Sequence, residues 1–161
     1  MPVGTEREGP NSLQRADVVW LYGGELDEQL SRTIPPGALR VRGQLHPVCW
    51  MSGDEELGLD ALHGVQVCAF AGIGRPGRFL ATLIQLGLEV VHWQAFPDHH
   101  EFTEAELDQF RTRAQDYTLV CTEKDRVRLP DSFPAVALRV EMRIEEGQEA
   151  LREQLKRVVG Q

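Results

Sequence analysis

The chain has 161 residues, 42% hydrophobic and 26% charged, with a formal net charge of −8 at pH 7, the balance of a globular protein built as one domain. That charge disfavours nonspecific binding of nucleic acid or anionic lipid through the bulk field, while leaving room for a local basic pocket. No run approaches the roughly 18 apolar residues of a membrane span, and the polar, acidic stretch Met1 to Pro10 is unlike a signal peptide.

Residues 1–12 read as an extended arm. Asp17 to Tyr22 is an apolar run ending at Gly23-Gly24, the pattern of a buried strand. Glu25 to Arg32 is a short polar helix closed by Pro35-Pro36-Gly37. Residues 38–64 read as an irregular ribbon and loop, partly alternating, with Pro47 as an interruption and a weak helical turn over Leu59 to Leu62. Val65 to Ala71 is the clearest strand. Gly72-Ile73-Gly74-Arg75-Pro76-Gly77 then opens a helix with Pro76 in its first turn and Gly87 just past its end. Phe79, Leu80, Leu83 and Ile84 form that helix's apolar stripe.

Leu88 to Trp93 is the next strand. The helix after it starts at Thr103, with Glu106 three residues on as a capping box, and Phe102 and Leu107 at the staple positions. Tyr117 to Cys121 and Ala135 to Val140 are further strands, with Thr122-Glu123-Lys124-Asp125 as an exit loop. Ile144 to Val159 reads as a final amphipathic helix. Strands alternating with helices imply a three-layer α/β/α fold whose sheet is mainly parallel and has about five strands. The exits after residues 71, 95 and 121 should then share one edge, where open α/β sheets place their ligands. Cys49, Cys68 and Cys121 are odd in number and lack C-x-x-C spacing, so they read as reduced, buried thiols of a cytoplasmic protein.

Each of the three exits has a functional and a structural reading. The turn at Gly72, Gly74 and Arg75 can present backbone N–H groups to an anion at a helix N-terminus, or be a tight turn only. It is not a P-loop, because no glycine in the chain is followed by lysine. Asp98-His99-His100 offers three readings. It can bind a metal, which adjacent histidines pointing opposite ways do poorly. One histidine can be the partner of a carboxylate or phosphate. Or the tract is only a helix entry. Lys124 either pairs within its own turn or reaches the shared edge. The residues themselves supply no metal-ligand set.

Three tracts taken together, residues 69–79, 95–103 and 122–125, resemble in order and spacing the C-terminal half of the tetraacyldisaccharide 4'-kinase family. Pro2-Val3-Gly4 to Glu8 and Leu13 to Asp17 are similar to the family stretch just before that half. The resemblance covers nearly the whole chain. It implies a P-loop-kinase-like C-terminal domain occupying residues 1–161 as a single α/β domain. The family uses ATP and Mg²⁺ to phosphorylate the lipid A disaccharide precursor at the inner face of the inner membrane. The family's N-terminal half is not in this sequence. That half brings the phosphate-cradling loop with its lysine, the acidic residues for magnesium and catalysis, and the membrane-associating helix. Phosphoryl transfer depends on these parts, so the resemblance implies a chain inactive alone, with the N-terminal P-loop half or a partner chain completing it.

By the same resemblance His99, with His100 as its alternate and Asp98 beside them, faces the catalytic carboxylate of the other half. Gly72, Gly74, Arg75 and Lys124 line the nucleotide edge. Two rival readings are a stand-alone nucleotide or sugar-phosphate binding module and a metal-dependent hydrolase using Asp98 and His99.

Overall fold

A computed structural model describes residues 9–23 and 26–160. Residues 1–8 of the expected arm, with the family-like stretch Pro2 to Glu8, lie outside the described residues, as do Gly24 and Glu25 at the expected start of the first helix. The chain divides into two compact units, Met1–His46 with Met142–Gln161, and Pro47–Glu141.

In the first unit, Pro10–Arg15 forms a 3₁₀ helix where an extended arm was expected. Strand β1 (Val18–Tyr22) pairs in parallel with the first part of β2 (Leu39–Ser52), from Val18 opposite Leu39 to Tyr22 opposite Gly43. Between them lies α1 (Glu28–Thr33), capped by the Asp27 carboxylate, which accepts from the Gln29 N–H at 2.7 Å. The last helix of the chain, α5, spans Gln148–Val159. It starts later than expected, because the last strand, β7 (Ala135–Glu146), runs on to Glu146. Gly147 separates the two with φ +82°, and a side chain there would meet the Arg40 carbonyl at 2.6 Å, so glycine is required by both backbone angle and space.

The second unit holds the end of β2, paired antiparallel with β3 (Glu55–Leu57), and then the alternation the sequence announces. Strand β4 is Gln66–Ala71, α2 is Pro76–Gln85, and β5 is Glu89–Ala95. They are followed by α3 (Glu104–Arg113), β6 (Thr118–Thr122), the four-residue α4 (Glu123–Arg126) and the start of β7. The strand order is β7-β6-β4-β5, and these pairs are all parallel. Seven strands occur among the described residues, against about five expected.

Successive residues of a strand point to opposite faces, and β4 is buried on both. Val67, Ala69 and Ala71 pack with Phe79, Leu83 and Leu88 in the α2 layer. Cys68 and Phe70 pack with Phe96, Leu107 and Phe110 in the α3 layer. Phe70 stacks on Phe110 with ring centroids 4.3 Å apart and meets Phe102 edge-on. Helices on both faces of a parallel sheet are the arrangement that near-continuous apolar strands such as β4 require. Because β4, β5 and β6 run parallel, Ala71, Ala95 and Thr122 end at the same edge. The three cysteines are free and buried. Loss of solvation raises the pKa of the Cys68 and Cys121 thiols, which removes thiolate chemistry from them.

Candidate functional site

The edge brings the three expected tracts into contact. Gly72 follows β4, and a side chain there would meet the Asp125 carboxylate at 3.1 Å, His100 Cβ at 3.3 Å and the Pro97 carbonyl at 3.3 Å. All three distances are tighter than an ordinary contact, so an added Cβ would push its neighbours by a few tenths of an ångström. The Gly72 N–H donates to Asp125 Oδ1 at 3.0 Å. The Gly72 carbonyl accepts from the His99 N–H at 3.3 Å and from Arg128 Nη1 at 3.2 Å. Gly72 and Gly74 in the turn after β4 and Gly77 at the start of α2 stand at G-x-G-x-x-G spacing, yet the first N–H of that turn is already spent on Asp125. Gly74 is exposed, and its Cα side faces Asp98 Oδ2, which a Cβ would meet at 3.5 Å. Arg75 is an exposed N-cap of α2.

Asp125 is fully buried and is the one charged residue in the core among the described residues. A buried carboxylate is tolerated only when its lone pairs are filled. Here Gly72 N–H and Thr122 Oγ1 donate to it, the latter at 2.6 Å, and Arg128 Nη1 lies 3.5 Å from Oδ1. The Asp125 N–H in turn donates to Thr122 Oγ1 at 3.2 Å. The expected exit loop is therefore a capped turn of helix. Its lysine, Lys124, is exposed and pairs with no carboxylate within that turn. Glu123 instead accepts from Arg139 Nε at 3.0 Å.

The two histidines part company. His100 is enclosed by Phe96 and Phe102, stacked on the first with centroids 4.5 Å apart. Its Nε2 is 3.1 Å from both Glu106 carboxylate oxygens. Glu106 completes the expected capping box, accepting from the Thr103 N–H at 2.8 Å and receiving the Thr103 hydroxyl. Those hydrogen bonds, the Thr103 backbone first, hold the Glu106 carboxyl below the usual carboxylate range. His100 thus locks the entry of α3. His99 turns outward: its side chain is 80% exposed, and Asp98 Oδ2 lies 3.9 Å from Nε2. Its φ is +61°, and it is the one non-glycine residue with positive φ among the described residues. Histidine visits that region more readily than most residues, at a cost that surrounding contacts must offset. Here the backbone bond to Gly72 and a contact from Arg128 Nη2 to His99 Nδ1 at 3.2 Å do so.

Asp125 and Arg128 escape the sequence reading as members of the site. Thr122-x-x-Asp125 is a visible capping spacing, but nothing local shows that the carboxylate is buried. Arg128 meets its partners across 56 and 29 residues of chain, which no local pattern reveals.

Among the described residues no group of three His, Cys, Asp or Glu side chains is placed to hold a metal ion. The Asp125 carboxylate is taken up by its own donors. For a polyphosphate the edge fits better: Arg75 and Lys124 are exposed cations beside the N-terminus of α2 and the end of β6, where anions are favoured. No helix among the described residues is long and apolar enough to cross a membrane.

Comparison with known proteins gives a consistent picture. The family model for LpxK, tetraacyldisaccharide-1-P 4'-kinase, matches residues 1–160. A tetraacyldisaccharide 4'-kinase of Anaeromyxobacter sp. (strain Fw109-5) is 37% identical over 96% of this chain and 46% of its own length. The one from Syntrophus aciditrophicus (strain SB) is 34% identical over 89% of this chain and 45% of its own. The crystal structure of LpxK from Aquifex aeolicus in complex with ATP superposes with a TM-score of 0.62 at 26% identity, covering 98% of this chain and 47% of that one. The chain spans about half the length of the curated relatives it matches.

Proposed function

The chain belongs to the tetraacyldisaccharide-1-P 4'-kinase family, and from that premise we propose that it supplies one wall of such a kinase's active-site cleft and transfers no phosphate by itself. The observation that carries this reading is the shared edge: His99, Arg75 and Lys124 are exposed at the ends of three parallel strands. Phosphoryl transfer needs charge neutralisation and in-line positioning. The exposed cations serve the first in part, against the phosphates of ATP. His99 serves the second by holding an oxygen of the reacting assembly. In this reading the metal and the phosphate-cradling loop come from the other half of the kinase fold.

The acceptor in this reading is the lipid A disaccharide precursor, met at the cytoplasmic face of the inner membrane. The partner is the P-loop half of the kinase, on the same or another polypeptide. The test is an ATP-dependent phosphorylation assay on the disaccharide with this chain alone. No product is expected, and measurable turnover proportional to the purified chain contradicts the reading.

A further inference from the structure

The hydrogen-bond chain behind His99 has a definite chemical polarity. A guanidinium carries only donors and is always charged. Arg128 Nη2 is 3.2 Å from His99 Nδ1, so that nitrogen must present its lone pair. The ring hydrogen then resides on Nε2, the nitrogen turned toward solvent and toward Asp98 Oδ2. Arg128 is not free to swing away. Its Nη1 reaches the Gly72 carbonyl at 3.2 Å and lies 3.5 Å from the buried Asp125 carboxylate, and its side chain is only 21% exposed. The guanidinium therefore bridges the exits of all three strands: Gly72 after β4, His99 after β5, Asp125 after β6.

We infer that Arg128, anchored by buried Asp125, is a positioning residue that fixes the tautomer of His99, so that His99 offers an N–H donor, and not a basic lone pair, to an oxygen acceptor in the cleft. The charged groups facing the imidazole are Asp98 on its own turn and Arg128 from the segment after α4. Both favour the hydrogen on Nε2, Arg128 by occupying Nδ1 and the Asp98 carboxylate by its negative charge 3.9 Å from Nε2. The left-handed backbone at His99 belongs to the same device, since it lets the His99 N–H reach the Gly72 carbonyl while the ring meets the guanidinium. The significance of the tautomer for catalysis rests on the kinase reading; the tautomer itself does not.

The experiment uses the purified chain labelled with ¹⁵N-histidine, at a pH of about 8, above the ordinary imidazole range. Long-range proton–nitrogen spectra identify which ring nitrogen bears hydrogen, and His99→Gln assigns the signal. A single Nε2–H pattern is expected for His99 in the wild-type chain. It should become a mixture of the two tautomers in Arg128→Ala and Arg128→Met, and be retained in Arg128→Lys, which keeps a donor. Hydrogen on His99 Nδ1 in the wild-type chain overturns the inference whether or not the variants fold. So does an unchanged pattern in a folded Arg128→Ala or Arg128→Met. A chain with the expected tautomer that is never rescued by the other half of the kinase would sink the functional reading alone.

Discussion

The two units of the chain are built on different terms. In the Pro47–Glu141 unit, both faces of β4 and β6 are covered, and Phe70, Phe110, Leu83, Leu119 and Val120 are almost wholly buried. In the unit formed by Met1–His46 and Met142–Gln161, the buried apolar side chains among the described residues are Val19, Ile34 and Val41. Trp20, Tyr22, Leu155, Val158 and Val159 stand exposed there. One unit is held by packing; the other by its β ladder and a few side-chain contacts. The candidate site sits wholly on the packed unit, and that suits it. A buried carboxylate, a guanidinium bridge and an imidazole at positive φ need a rigid base that over-determines them.

The sharpest way to break this contrast is to empty one core and trim the other surface. Phe70→Ala should cost about 3–5 kcal/mol, the range for a large aromatic side chain removed from a close-packed core, read as a drop in the denaturant midpoint. Asp125→Ala should follow at roughly 3 kcal/mol, because it strands the Gly72 N–H and leaves Arg128 without its counter-charge. Thr103→Ala should cost about 1 kcal/mol through loss of the α3 cap. At the bottom, Leu155→Ala, more than half exposed on α5, should fall within about 0.5 kcal/mol of wild type. A large loss at Leu155 with a small one at Phe70 would invert the contrast and refute it.

A pH series sharpens the same comparison at the α3 cap. The Glu106 carboxyl is held below its ordinary value of about 4.5 in the folded chain, so between the folded and unfolded values the unfolded state binds more protons. Its contribution is present above about pH 4.5 and is lost as pH falls through the folded pKa. Glu106→Gln should therefore lose stability less steeply than wild type on acidification below pH 4.5, as followed by thermal melts. Equal slopes for the two proteins would remove Glu106 from the acid response. The effect is small, because the carboxylate lies near the surface.

The packed unit was largely legible from the sequence, for a physical reason. Apolar runs such as Val67 to Ala71 have no alternative to a doubly covered strand, and the capping box at Thr103 and Glu106 is a local hydrogen-bond pattern. The other unit was less so. Ile144 precedes Leu151 by seven residues, a spacing that imitates a helical face, yet Met142–Glu146 extends β7 and the helix waits for Gly147. Pro47 suggested a break, but a proline removes a single donor, and β2 runs through it from Leu39 to Ser52. At the site, the convergence of Gly72, His99 and the turn after Thr122 follows from parallel topology, which the strand–helix alternation announces. Asp125 and Arg128 do not follow from it. Burial of a lone carboxylate, and an arginine bridging three loops, are properties of the assembled edge.

The most direct test of the central claim is reconstitution. This chain would be mixed with the separately produced remainder of the Anaeromyxobacter sp. kinase, the part it does not match, and ATP-dependent phosphorylation of the disaccharide measured. The account predicts product only when both parts are present, and a fall of at least about 100-fold when His99→Ala replaces the wild-type chain in a complex that still forms, in line with the loss of one preorganised hydrogen-bond donor. Full activity of the His99→Ala complex, or product from the wild-type chain alone, would contradict it.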